Sequence, residues 1–241
     1  MNIVYATDDN GALGTGVSIV SLMENLPPGV HADIYIMTGG LSGDNTARFH
    51  SLQQGYNLHL HFIDMKDKYT DFPVGSKWSA ATYYRLGLAG ELPATVERAL
   101  YVDIDTIFNR DISPMYESEF GDCLIAGVFT TEDLSEESFS RWKREMNLGR
   151  DSIYINAGVI LYHIGRIREE CFESQVLSWA KNNIHRLSWQ DQDILNVCYQ
   201  QRILLLHPMW NICDGAIWSI RWEGVTSFRN NPLKPADLLE A

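Results

Sequence analysis

The chain opens on an apolar run, NIVYAT at residues 2–7, that stops at Asp8 and Asp9. Ile19, Met23 and Leu26 then recur at i, i+4, i+7, the period of an amphipathic helix, and Pro27, Pro28 and Gly29 end it. ADIYIMTGG predicts a second strand closed by two glycines. After a polar helical segment, NLHLHFID alternates Leu58, Leu60 and Phe62 with His59 and His61, the pattern of a third strand. Strand, helix, strand, helix, strand is the order of parallel strands joined by crossover helices.

A loop with Pro73 and Gly75 precedes SAATYYRLGLAGEL, which predicts a helix ending before Pro93. RALYVDIDTIF is strongly apolar but broken by two aspartates, and DCLIAGVF reads as another strand. The charged stretch 132–150 predicts surface helices and loop, and SIYINAGVILYHI a long apolar strand. Residues 165–183 have the period of one helix burying Ile167, Cys171 and Leu177; residues 191–201 predict a shorter one with Ile194, Val197 and Cys198 on one face. RILLLHP is a last strand. From Asn211 onward Trp218, Trp222 and Phe228 are interspersed with turn residues and show no period. The alternation makes the fold α/β.

Composition narrows the function. In 241 residues 45% are hydrophobic, enough for one large domain. No apolar run approaches the ~18 residues that suggest a membrane span. The N-terminus lacks a basic leader, so we expect no transmembrane segment and a cytoplasmic protein. A net charge of −12 disfavours nucleic acid as a partner. It also means that an anionic ligand must be held by local charge, helix N-termini or a metal ion. Cys123, Cys171, Cys198 and Cys213 fit neither a zinc spacing nor a disulfide framework, and read as reduced, mostly buried thiols.

Asp103, Ile104 and Asp105 form the strongest candidate site. On an extended chain residues i and i+2 point to the same side, so both carboxylates project from one strand end. Such a pair repels unless a cation joins it, and a hard divalent ion with oxygen ligands meets that need. The competing reading is aspartates capping a turn. Asp8, Asp9 and Asn10 stand where the first strand ends, which in an open α/β sheet is a ligand crevice; taken alone, an Asp- or Asn-capped turn is the simpler account of them. Arg85 is either a diphosphate clamp or a structural ion pair. Asn156, Ala157 and Gly158 are small residues in a buried strand, marking either a bulge or close approach of a ligand. Asp191, Gln192 and Asp193 open a helix, where acidic residues favour the dipole; alternatively Asp191 and Gln192 face a substrate. His59 and His61 fit a polar strand face, with no third ligand evident in the local sequence, and His207 before Pro208 reads as structural.

Taken in order, the opening strand with Asp8 and Asn10, TYYRL, YVDIDTIF, INAGVIL and QDQDILN resemble glycosyltransferase family 8, across about residues 1–211. This family of retaining enzymes includes bacterial lipooligosaccharide galactosyltransferases and glycogenin. The resemblance implies one nucleotide-binding domain, Rossmann-like and of the GT-A type, whose mostly parallel mixed sheet is flanked by helices. Residues 212–241 would then be a C-terminal tail. It implies UDP-galactose or UDP-glucose as donor, Mn2+ or Mg2+ as cofactor, and a saccharide, glycolipid or glycoprotein acceptor, at a cytoplasmic site that includes the membrane periphery. Asp103 and Asp105 would ligate the metal, and Asp8 and Asn10 would contact uridine. Arg85, Asn156, Asp191 and Gln192 would line the donor sugar, with Gln192 beneath the anomeric carbon. The family's late H-x-G-x-x-K-P-W motif has no counterpart in VTSFRNNPLKPADLLEA: Lys234 and Pro235 lack a histidine or glycine in register. The tail has diverged, or the chain stops short of the motif. Two rival readings are a UDP-sugar-binding module without transfer and a nucleotidyltransferase. DDNGALGTG, which has no Lys or Arg, argues against the second.

Overall fold

The computed structural model describes residues 1–73, 79–130, 136–149 and 152–212. Gly75, Cys213 and the tail with Trp218, Trp222, Phe228, Lys234 and Pro235 lie outside the described residues. The fold is a single α/β layer structure built on a seven-stranded mixed sheet in the order β3-β2-β1-β4-β6-β5-β7.

The first half of the chain builds the parallel side. Strand β1 (Asn2–Ala6), helix α1 (Ala12–Asn25), β2 (Ala32–Thr38), α2 (Gly43–Gly55) and β3 (Leu58–Asp64) follow the predicted alternation. Gly29, at φ +86, makes the turn after α1. Strand β4 (Ala99–Val102) joins on the other side of β1, so β3, β2, β1 and β4 all run parallel. Before it, Ala80–Gly87 is a 3-10 helix and only Leu88–Glu91 (α3) is α-helical, where the sequence predicted one continuous helix.

The second half builds the mixed side from α4 (Ser113–Tyr116), β5 (Ile125–Phe129), α5 (Glu136–Glu145) and β6 (Ile155–Tyr162). Strand β6 is antiparallel to both β4 and β5. The predicted helix over 165–183 is two, α6 (Ile164–Glu169) and α7 (Phe172–Asn183), with Cys171 between them at φ +50. Cys171 is exposed, and Cys123 and Cys198 are only partly buried, against the core thiols expected. Helix α8 (Gln190–Cys198) and β7 (Ile203–Leu205), parallel to β5, follow. The charged stretch after β5 is less superficial than its composition suggests, since Trp142, Met146 and Leu148 pack on Tyr154.

The strands are apolar on both faces because helices cover both. Ile3, Tyr5, Ile34, Ile36, Leu100 and Val102 pack against α1 and α2 through Ile19, Leu22 and Phe49. Their chain neighbours Val4, Tyr35, Met37 and Tyr101 face the opposite layer, with Ile164, Val176 and Ile194. Ile34 is fully buried, so Ile34→Ala removes about 2–5 kcal/mol of stability. The two layers hold the C-terminal ends of β1 and β4 side by side, and the site forms there.

Candidate active site

Beyond those strand ends lies an open cavity of about 620 Å³. Asp8, Asn10, Arg85 and the D-I-D residues border it, as do Asn156–Gly158, Asp191 and Gln192. Five separate chain segments thus supply the residues singled out from sequence.

The aspartate pair is not on a strand. Strand β4 ends at Val102, and Asp103–Thr106 forms a turn in which Thr106 N donates to Asp103 O at 3.2 Å. The same-side argument from extended geometry therefore does not apply. Asp103 N is still tied to β6, donating to Gly158 O at 2.7 Å. Gly11 and Gly14 let α1 lie against this turn: a Cβ on Gly14 would sit 3.0 Å from the Ile104 carbonyl oxygen.

Arg85 is the one cation among the described residues that line the cavity. Its Nη2 donates to Asp103 Oδ1 at 2.6 Å, its Nη1 to the Ala157 carbonyl at 2.6 Å, and its Nε to the Thr82 carbonyl at 3.1 Å. Asp191 Oδ2 lies 3.0 Å from Nε, but because that N–H is aimed at Thr82 the contact is a charge pairing without a hydrogen bond. Tyr101 lies under the guanidinium at 4.2 Å and donates its hydroxyl to Asp103 Oδ1. Arg85 thus forms ion pairs with Asp103 and Asp191 at the cavity wall. Burial works against its charge, but Asp103 and Asp191 outweigh burial and raise its pKa. Burial pushes the Asp191 carboxyl up to about 7, with Arg85 pulling the other way and Asp103 adding to the rise.

The start of α8 divides its acidic residues by task. Asp193, fully buried, accepts from Ser188 N and Trp189 N through Oδ2 and from the Tyr154 hydroxyl through Oδ1, so from inside the first turn it reaches back and ties down the chain entering the helix. Gln190 stands at φ +44, a conformation uncommon for a side chain of this kind, and Tyr83 donates to its Oε1 at 3.1 Å. That bend turns Asp191 and Gln192 to the cavity. Gln192 Oε1 accepts from Ala157 N at 2.9 Å and its Nε2 donates to Tyr154 at 3.0 Å, which fixes both ends of the amide.

Strand β6 carries a bulge here. Its register with β5 shifts between Gly127 pairing Ile160 and Phe129 pairing Ile155, which leaves 156–159 out of step with β5 while Val159 stays paired with Val102 of β4. Asn156 Oδ1 accepts from Gly158 N and from Asn211. At the β1 end, Asp8 Oδ1 accepts from Gly11 N at 2.9 Å, the turn-forming role, while Asn10 is exposed at the rim.

The sequence profile of glycosyl transferase family 8 matches residues 2–217. The chain belongs to that family. Among curated relatives, it is 28% identical over 88% of its length to the lipopolysaccharide 1,2-glucosyltransferase of Escherichia coli, covering 62% of that protein. It is 29% identical over 81% of its length to the lipopolysaccharide 1,3-galactosyltransferase of Salmonella typhimurium, covering 58% of it. It therefore spans about three fifths of the length of these relatives. A galactosyltransferase, LgtC, solved with donor and acceptor sugar analogues, superposes with a TM-score of 0.75 at 26% identity, over 86% of this chain and 74% of that one. An LgtC structure with an active-site glutamine changed to glutamate aligns equally well, with a TM-score of 0.75 at 26% identity, over 86% of this chain and 73% of that one.

The donor set of this family 8 chain suits a hard divalent ion. Asp103 Oδ1 carries both of that residue's contacts, leaving Oδ2 free of them, and among the described residues the Asp105 carboxylate has no hydrogen-bond or ion-pair partner. A Cβ on Gly158 would come within 3.1 Å of Asp103 Oδ2, so the glycine keeps open the space beside that oxygen. Oxygen ligands without imidazole favour Mg2+ or Mn2+. Among the described residues no histidine, cysteine or third carboxylate joins the pair. Sequence reasoning missed Tyr101, Trp189, Gln190 and Asn196. Asn196 is fully buried and bonds both Ile155 N and Ile155 O, pinning α8 to β6. Its position three residues after Asp193 in QDQDILN was the available signal.

Proposed function

We propose that the chain is a retaining glycosyltransferase that moves galactose or glucose from a UDP-sugar to a hydroxyl of a saccharide, glycolipid or glycoprotein acceptor. The carrying observation is the charge balance of the cavity. Asp8, Asp103, Asp105 and Asp191 border it with Arg85 as the one cation among the described lining residues, and Arg85 is already paired to two of them. Against so many carboxylates, a divalent cation brought with a diphosphate would balance its charge. Asp103 Oδ2 and Asp105 would hold that divalent ion, which when bound supplies Lewis acidity toward the leaving diphosphate. The names of the lipopolysaccharide glycosyltransferase relatives support a sugar donor and a glycolipid acceptor.

The protein's own groups set the rest. Asp8 and Asn10 bracket the end where the nucleoside binds, with one Asp8 oxygen committed to Gly11 and the other available to an imide N–H. Asp191 is buried beside Arg85 with an oxygen that receives no hydrogen bond, and as the carboxylate it would offer negative charge to an oxocarbenium-like anomeric centre. Gln192 is uncharged and its carbonyl oxygen is held by Ala157 N, which makes it a poor nucleophile. Attack from the face that UDP leaves, with Gln192 and Asp191 stabilising the cation, gives retention without a covalent intermediate. The active-site glutamine of LgtC supports placing Gln192 at the reacting end. We place the protein in the cytoplasm or at the membrane periphery, and among the described residues no helix is long and apolar enough to cross a membrane.

A UDP-sugar-binding module without transfer is the second reading. It is favoured by the absence of a third acidic or imidazole ligand beside Asp103 and Asp105 among the described residues. UDP release from UDP-galactose and UDP-glucose, with and without Mn2+, separates the two. Metal-dependent release that Asp105→Asn abolishes is the expected result. Tight metal-dependent UDP binding with no turnover on either donor would establish the module instead.

A further inference from the structure

At the opposite end of β2 from the cavity, roughly 20 Å away at ~3.3 Å per strand residue, three histidines surround one carboxylate. His31 precedes β2, Asp33 lies on it, and His59 and His61 lie on the edge strand β3, where Asp33 pairs with His59 in register. The partners that the local sequence around His59 and His61 does not supply thus come from the neighbouring strand. One ligand atom from each of His31, Asp33 and His59 lies within 4.8 Å of the other two.

We propose that His31, Asp33 and His59 form a binding site for a zinc-class divalent ion, separate from the site at the D-I-D turn. The orientation of each donor carries the argument. Asn57 Nδ2 donates to the Val30 carbonyl at 3.1 Å, which turns its Oδ1 toward His31 Nδ1 at 3.1 Å. With its proton on Nδ1, the neutral imidazole of His31 would present the Nε2 lone pair 3.8 Å from Asp33 Oδ2. A second hydrogen bond, between His61 Nε2 and Asp33 Oδ1 at 2.8 Å, holds the carboxylate with Oδ2 directed away from His61. His61 itself is stacked on Tyr35 at 4.7 Å. Ligand-orienting partners of this kind, an amide behind an imidazole and an imidazole behind a carboxylate, accompany metal ligands.

His59 completes the set. Its Nδ1 is 4.0 Å from Asp33 Oδ1, its ring meets that of His31 edge-on at 4.7 Å, and its side chain is 69% exposed and free to close. Tetrahedral ligands at ~2.0–2.1 Å from zinc lie roughly 3.4 Å apart, so closure asks for shifts of about 1 Å. Two imidazoles and one carboxylate select zinc-class ions over Mg2+ or Mn2+ and leave a coordination position for water. The ion would join the chain before β2 to the exposed edge of the sheet.

The test is a Zn2+ titration of the chelator-stripped protein by calorimetry, with Co2+ absorption as a report of tetrahedral coordination. One site is expected that His31→Ala and His59→Ala abolish, that His61→Ala weakens roughly 10–100-fold, and that Asp105→Asn leaves intact. The side chains of His31, His59 and His61 are all more than one-third exposed, so these variants keep the fold, which circular dichroism checks. Absence of Zn2+ binding overturns the proposal. So does binding that survives the histidine changes and disappears with Asp105→Asn. The result does not depend on whether the chain transfers sugar.

Discussion

Replacing Arg85 by methionine isolates the charge that holds the cavity together. The guanidinium is 6% exposed and pairs with Asp191, itself 8% exposed, and with the more open Asp103. Removing one partner of a buried ion pair costs about 3–5 kcal/mol, because a desolvated charge remains. The partial exposure of Asp103 tempers its share of that cost, so the loss rests mainly on Asp191. For a chain of this size each kcal/mol lowers Tm by about 2–4 °C, which makes the expected drop about 6–20 °C.

The pH dependence distinguishes this account from a mere packing defect. In the wild type, burial lifts the Asp191 carboxyl to about 7, with Arg85 opposing the rise. Between the ordinary carboxylate range and that value the native state holds a proton that the unfolded state has released, so this group lowers stability as pH rises through the window. Without Arg85 the carboxyl rises further and the window extends upward. The gap between wild type and Arg85→Met should then widen from pH 5 to pH 8, and adding Asp191→Asn should narrow it. Urea unfolding of the metal-free protein at the two pH values measures this. A gap that is constant with pH, or larger at pH 5, would refute the reasoning.

Asp105→Asn should leave unfolding within ~0.5 kcal/mol of wild type, since Asp105 has no partner among the described residues, yet abolish Mn2+-dependent binding of UDP in calorimetry. Gly158→Ala forces its methyl against Asn156 Oδ1 and Asp103 Oδ2, at 2.9 and 3.1 Å. It should raise the donor KM and cost about 1–3 kcal/mol, read by kinetics and by melting. Asp193→Asn cannot accept from Ser188 N, Trp189 N and Tyr154 as a carboxylate does, so kcat should fall at least 10-fold while UDP affinity changes little, because Asp191 and Gln192 lose their orientation rather than the nucleotide its contacts. Steady-state kinetics beside UDP titration checks this.

The sequence was most legible where a single period dominated. The apolar runs of β1, β2 and β4 and the i, i+4, i+7 spacing of α1 each report burial directly, and the elements formed as expected. It was least legible where tertiary contacts override local pattern. The apolar periodicity of 165–183 continues through Cys171, but the chain turns there through a left-handed residue that periodicity does not encode. The D-I-D residues follow an apolar strand so closely that they read as its continuation, whereas the turn in which Thr106 N donates to the Asp103 carbonyl ends β4 at Val102. In QDQD, spacing showed that the acidic residues begin a helix but not which would tie down its start, because that depends on where Ser188, Trp189 and Tyr154 stand.

The cavity wall has two kinds of residue, and they should respond to mutation differently. Arg85 bonds Asp103 and Ala157; Ala157 bonds Gln192; Gln192 bonds Tyr154; Tyr154 bonds Asp193; and Asn196 bonds Ile155 and Gln192. Apart from Asp103, whose Oδ2 stays free, the members are buried and bond one another, so deleting one leaves its neighbours under-bonded. Changes within this chain of contacts should therefore couple, with double variants such as Arg85→Met with Asp193→Asn costing less than the sum of the singles. Asp105 and Asn10 stand outside the network, and their effects should add to those of any network change. The wall around Asp191 and Gln192 is thus held by the same bonds that hold β6 to α8, while Asp105 and Asn10 lie outside them.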